Sequence, residues 1–270
     1  SRRLNNVGLM GRDFPLERDE ASFTILLTGG SVANHLGSAS DGAAEPTYLE
    51  EILNEKYAFD REVVVLNGAN GSWSQPQQAI VTLLYGEIAD AVVTLDGFNE
   101  NSQCRGASLR LELPSTVAFL DINPVAEHGY DRLAAVAQAA RLKQFSLKHP
   151  WRTVYFTARV ARRQLDRGTA ATQTQLYDMF SLPNDWHSDR RIAFNVEQYR
   201  KYIRSIDALA RIHGARTAHF VQPCPAIGKT LTAEEKQVVG NLDYADSYRS
   251  MTDKLLELQS EQIPVVSLLD

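Results

Sequence analysis

Phe23-Thr24-Ile25-Leu26-Leu27-Thr28-Gly29-Gly30-Ser31-Val32-Ala33 is the stretch whose reading decides the fold. Its first five residues are an apolar, β-competent run; two glycines then allow a sharp turn, and Ser31 stands where a helix should open. A strand that enters a helix in this way places the serine beyond the carboxyl edge of a parallel sheet. Behind it lie the unpaired N–H groups and positive dipole end of the helix start. Two roles fit such a serine: a nucleophile beside oxyanion donors, or the cap of the following helix.

The same arrangement recurs downstream. Val63-Val64-Val65-Leu66 runs into Asn67-Gly68-Ala69-Asn70-Gly71-Ser72-Trp73-Ser74, with a helix expected over 76–85. Ala91-Val92-Val93-Thr94-Leu95 runs into Asp96-Gly97-Phe98-Asn99-Glu100. Three apolar strands separated by helices, each ending in a glycine-containing loop, read as successive βαβ units of a parallel sheet. Right-handed crossovers put all three loops at one edge, so Ser31, Gly71 and Asn99 are expected to converge. Strands at 217–222 and 264–270 complete the prediction of a three-layer α/β/α sandwich around a five-stranded, mostly parallel sheet.

The intervening segments are less uniform. Leu49, Ile52 and Leu53 recur at helical spacing, with Glu50 and Glu51 near the start where the dipole favours acids. A helix over 195–212 buries Tyr199, Tyr202, Ile203, Ile206 and Leu209 and stops at Gly214. Another, over 234–262, is interrupted near Gly240-Asn241. Residues 5–15 read as a lead-in across the outside of the fold, and 37–44 as a mobile loop. Residues 116–122 form a short strand or an apolar approach to the next helix; helices are expected at 130–145 and 151–165, and a long surface excursion at 170–189.

With 270 residues, 44% of them hydrophobic, the chain can bury a large core, and one domain over 1–270 is expected, with 1–20 as a lead-in. A net charge of -5 and a pI near 5.7 give no general attraction to nucleic acid, and none is expected as a partner. Basic residues between 141 and 167 lack the aromatic interleaving of a nucleic-acid platform and read as solvated faces. Cys104 and Cys224 cannot build a disulfide framework, and no Cys/His spacing suits zinc, so chemistry without metal or cofactor is the expectation. No apolar run reaches the about 18 residues that span a bilayer. The chain opens on Ser1-Arg2-Arg3, neither Met nor a signal peptide, which raises the expectation of a trimmed upstream tag, signal or membrane anchor. The compartment stays open, with an extracytoplasmic or periplasmic one preferred.

Taken in order, the three loops resemble the blocks of the SGNH hydrolases, the GDSL lipase/esterase superfamily. Gly29-Gly30-Ser31 is similar to the Gly-Asp-Ser block with Gly for Asp; Gly71 matches the glycine after the second strand. Gly97-Phe98-Asn99-Glu100 matches Gly-x-Asn-Asp with Glu in the last place. The resemblance implies a flavodoxin-like fold with Ser31 as nucleophile, and an oxyanion hole made of the Ser31 N–H, the Gly71 N–H and the Asn99 carboxamide. It implies an ester hydrolase working through an acyl-enzyme on an O-acetylated carbohydrate or another small acyl ester. A carbohydrate O-acetyltransferase or a non-catalytic glycan-binding module of the same fold are the alternatives. The family's Asp-x-x-His, expected after the last strand, would lie beyond Asp270. Of the six histidines, His213 and His219 read as structural, and Asp185-Trp186-His187 pairs Asp with His on a loop, a base only for a rearranged site. Trp73, Phe98 and Trp186 would line a cleft or pack in a minor core.

Overall fold

The computed structural model describes residues 4–39, 46–106, 110–111 and 181–269. The chain divides into two compact units, Ser1–Leu113 with Asp185–Asp270, and Pro114–Asn184. Of the second, only residues 181–184 are described. The expectations for 116–122, 130–145, 151–165 and 170–180, the basic residues at 141–167, His128 and His149 lie outside the described residues, as does most of the loop at 37–44.

The first unit runs β1 (Ser22–Gly29), α1 (Ser31–Leu36), α2 (Tyr48–Lys56), β2 (Glu62–Asn67), α3 (Gln77–Tyr85), β3 (Ala91–Asp96), α4 (Phe98–Gly106), α5 (Ser188–Ile212), β4 (Arg216–Val221), α6 (Ala233–Val238), α7 (Ala245–Leu256) and β5 (Val265–Ser267). All strand pairs are parallel, in the order β2-β1-β3-β4-β5, with helices on both faces. This is the doubly wound order whose ligand crevice opens at the carboxyl ends of the strands where the winding reverses. Here that point lies between β1 and β3. Leu27 is level with Asn67, Gly29 with Leu95, Asp96 with Val221, and Val221 with Ser267, so the strands end close to one level.

Alternation along the strands feeds both layers. Leu26, Leu66 and Val92 pack under Val81 of α3 and Ile206 and Ala210 of α5. Ile25, Leu27, Val63, Val65 and Leu95 pack on the opposite face with Ala33 of α1 and the half-buried Leu49 and Leu53 of α2. Val221 and Val265 meet Tyr199 and Ile203 of α5 and Tyr248, Met251 and Leu255 of α7. Because both faces are covered, the strands read as nearly continuous apolar runs. Leu26, Leu27 and Leu66 are at most 1% exposed, each contributing about 2 kcal/mol.

Three expectations needed adjustment. α5 begins at Ser188 and not at 195, because its first turns are solvent-facing and polar; the apolar period appears only where Asn195 and Val196 enter the core. The turn after β3 is shorter than expected: Gly97 alone makes it, at φ +112, and α4 starts at Phe98. A Cβ at Gly97 would lie 2.8 Å from the Tyr248 hydroxyl, so no other residue fits. The lead-in is built into the fold: Phe14 is buried edge-on against Tyr85, and Asn6 brackets its backbone at both N and O.

Glu50 ties these parts together. It completes a capping box with Thr47 at the start of α2, accepts Val65 N–H from β2 at 2.8 Å, and pairs with Arg12 at 2.8 Å while only 1% exposed. Glu50→Ala removes the buried ion pair with Arg12 and the acceptor of the Val65 N–H, and should lower unfolding stability by about 3 kcal/mol in urea titrations. A loss under about 1 kcal/mol would contradict this role.

Candidate active site

Ser31 is the first helical residue of α1 and is exposed; the N-cap is Gly30, with extended backbone and no side-chain capping bond. The capping role considered for Ser31 is therefore not the one it plays. Its hydroxyl makes no hydrogen bond to any described residue, and its N–H, in the first turn, has no intrahelical partner.

Asn99, in the first turn of α4, reaches across to the loop after β2, where its Nδ2 donates to Trp73 O at 2.7 Å. A Cβ at Gly30 would lie 2.6 Å from that Nδ2 and 3.3 Å from Trp73 O, so the Asn99 carboxamide packs directly on the residue before Ser31. The loop after β2 is joined to β1 by Asn70 N–H donating to Gly29 O at 3.3 Å and Gly68 N–H to Leu27 O at 2.8 Å. All three loops thus meet at the β1/β3 crevice. Ser31 and Asn99 come together around Gly30. Gly71 belongs to the same loop cluster, but its N–H is bonded to Asn70 Oδ1 at 2.8 Å and open space surrounds its Cβ position.

Beneath the crevice lies a buried acid pair that sequence reasoning missed. Glu100 accepts N–H from Gly97 at 2.9 Å, from Gln75 at 3.2 Å and from the Gln78 side chain at 3.2 Å, with no exposed surface. Asp96, 3% exposed, accepts the Tyr199 hydroxyl from α5. Burial pushes the Asp96 carboxyl up to about 6 despite the Tyr199, Gln78 and Gln75 groups beside it. Burial and the Asp96 charge raise Glu100 well above the usual carboxylate range. The available signal was periodicity: Val92, Thr94 and Asp96 share one face of β3, and Tyr199 lies on the buried side of α5.

No protein-family model matches the chain, and no curated protein matches it.

None of the described histidines is hydrogen-bonded to Ser31. His35 follows one turn along α1 and is exposed. His187 precedes α5, about 18 Å along the helix axis from the turn where Tyr199 meets Asp96. His219 is buried on β4 beside Thr94 Oγ1 at 3.1 Å, and burial lowers its pKa to about 4, a structural histidine as expected. Trp186 packs against Phe194 under the Arg190 guanidinium, and Phe98 packs edge-on against Tyr244. Trp73 is partly buried against the α3 side of the core. An open hollow of about 410 Å³ at the exits of β4 and β5, lined by Pro223, Ile227, Leu231 and Leu268 among others, includes none of Ser31, Gly71 and Asn99. Among the described residues no three His, Cys, Asp or Glu side chains group as metal ligands, and no helix is long and apolar enough to cross a membrane. Both cysteines are free and buried.

Gly30→Ala drives a methyl group into the Asn99 carboxamide and should cost about 1–3 kcal/mol in denaturant unfolding. Wild-type stability in that variant would show that Asn99 is not packed on Gly30.

Proposed function

We propose that this chain is a serine ester hydrolase that works through an acyl-enzyme on Ser31, with an O-acetylated carbohydrate or another small acyl ester as substrate. The observation that carries the reading is an exposed, unbonded serine hydroxyl at the β1/β3 crevice with the Asn99 carboxamide packed against the adjoining glycine. Fold order and crevice position support it, because open α/β sheets bind ligands at this point. The loop resemblance to SGNH hydrolases supports it independently of the coordinates.

Ser31 Oγ bonds to the ester carbonyl carbon while its proton passes to a general base. The alcohol departs with a proton, and water then releases the acyl group from Ser31 as the free acid. The developing oxyanion takes N–H donors from the Ser31 backbone and from Asn99 Nδ2, which spends one of its two N–H bonds on Trp73 O. Gly71 N–H becomes a further donor when the exposed Asn70 side chain turns aside. The reaction requires a general base, and none of the four described histidines is hydrogen-bonded to Ser31 in this structure. If that base is a histidine, kcat/KM falls below pH about 6.5.

The test is p-nitrophenyl acetate hydrolysis together with fluorophosphonate labelling read by intact mass. One adduct is expected on the wild-type chain and none on Ser31→Ala, which loses all esterase activity. Asn99→Ala should retain Ser31 but lower kcat by about 10²–10³-fold. Activity surviving Ser31→Ala would overturn the reading, and a wild-type chain that neither hydrolyses nor labels would leave a non-catalytic module.

A further inference from the structure

The acid pair below the crevice has an internal logic that the ester hydrolase reading does not use. Glu100 spends both carboxylate oxygens on N–H donors, the pattern of an ionised acceptor. Asp96 differs: Oδ1 takes the Tyr199 hydroxyl, while the buried Oδ2 has no hydrogen-bond partner among the described residues. The Gln78 amide lies against Asp96 and commits its Nε2 to Glu100, which leaves its buried Oε1 unpartnered as well. Gln75, also against Asp96, has a bare Nε2 and Oε1, so amide groups surround the carboxyl; what the described residues do not supply is a cation for two buried carboxylates, and that absence calls for a proton.

We propose that Asp96 and Glu100 hold one proton between them, Asp96 as the acid through Oδ2 and Glu100 as the carboxylate, and that the pair positions the Asn99 carboxamide. Gln78 joins the two acids, its amide lying against Asp96 and its Nε2 donating to Glu100. Glu100 also grips Gly97 N–H on one side of Asn99 and Gln75 N–H on the loop that presents Trp73 O. The donor is thereby fixed from beneath by a group that never touches substrate. The functional half of this proposal rests on reading Asn99 as an oxyanion donor.

The surroundings keep the pair's charge its own. Facing it are Cys104 of α4, Tyr199 of α5, Tyr248 of α7 and the amides of Gln75 and Gln78. Burial pushes the Cys104 thiol up to about 12 and both tyrosine hydroxyls upward, so all three are neutral near pH 7. Among the described residues no basic side chain pairs with either carboxylate. Unfolded, both acids lose their protons near pH 4. Folded, both acids are raised, so the native state binds more protons and its stability falls as pH rises from about 4 through about 6 and beyond.

Urea unfolding of wild type, Asp96→Asn and Glu100→Gln across pH 4.5–8, run beside fluorophosphonate labelling of Ser31, tests both halves. Asn at 96 keeps an acceptor for Tyr199 and does not titrate. It should therefore retain labelling and flatten the decline, by up to about tenfold in the folded-to-unfolded ratio per pH unit relative to wild type. Gln at 100 turns an NH₂ group against N–H donors, so it should lose stability at every pH and label more slowly. If Glu100→Gln does not fold, the Asp96→Asn slope decides alone. Retention of the wild-type slope in Asp96→Asn overturns the pair. A tolerated Glu100→Gln beside a destabilised Asp96→Asn overturns the assignment of the proton. A folded Glu100→Gln that labels at the wild-type rate overturns the positioning role. A flattened slope with no labelling of wild type upholds the pair and removes the hydrolase reading instead.

Discussion

Glu100, without exposed surface at the exit of β3, holds three N–H groups that come from three places: the β3 turn, the loop after β2 and the first turn of α3. A buried carboxylate is tolerable only where such donors replace the water it has lost, so the chain segments carrying them are held wherever the carboxylate is. Asn99 precedes Glu100 and inherits its placement. Its own bond to Trp73 O and its packing on Gly30 then carry that placement to Ser31. The crevice is fixed from below, and the exposed serine needs no side-chain partner to be held there.

The sheet supplies the coarse alignment on which this clamp acts. Parallel strands in register bring Gly29 level with Leu95, so the turns after β1 and β3 leave the sheet side by side at the reversal of winding. Hydrophobic layers on both faces make that register costly to change, since a shift by one residue would turn Leu26 and Leu27 to the wrong layers. Glu50 does for the amino-terminal side what Glu100 does for the crevice, tying α2, β2 and the lead-in through one buried carboxylate.

The strands and their order of loops were legible because a doubly covered parallel sheet writes itself as short apolar runs closed by glycine. β1 extends the expected run only at its ends, and the interruption near Gly240-Asn241 separates α6 from α7 as the composition suggests. Legibility fails where polar residues do structural work. Glu50 reads as a dipole-favoured surface acid and is a buried clamp; Asp96 and Glu100 read as parts of a loop and are core. The first turns of α5 were lost because they project past the core and carry no apolar period. For Ser31 the sequence allowed a cap or a nucleophile, and the backbone at Gly30 removes the cap.

The central claim is that the Asn99 carboxamide is aimed at whatever bonds to Ser31. A crystal structure of the chain after reaction with an alkyl fluorophosphonate measures this directly. The account predicts a phosphoryl oxygen about 2.7–3.1 Å from Asn99 Nδ2. An adduct on Ser31 whose oxygens all point away from Asn99 would contradict it.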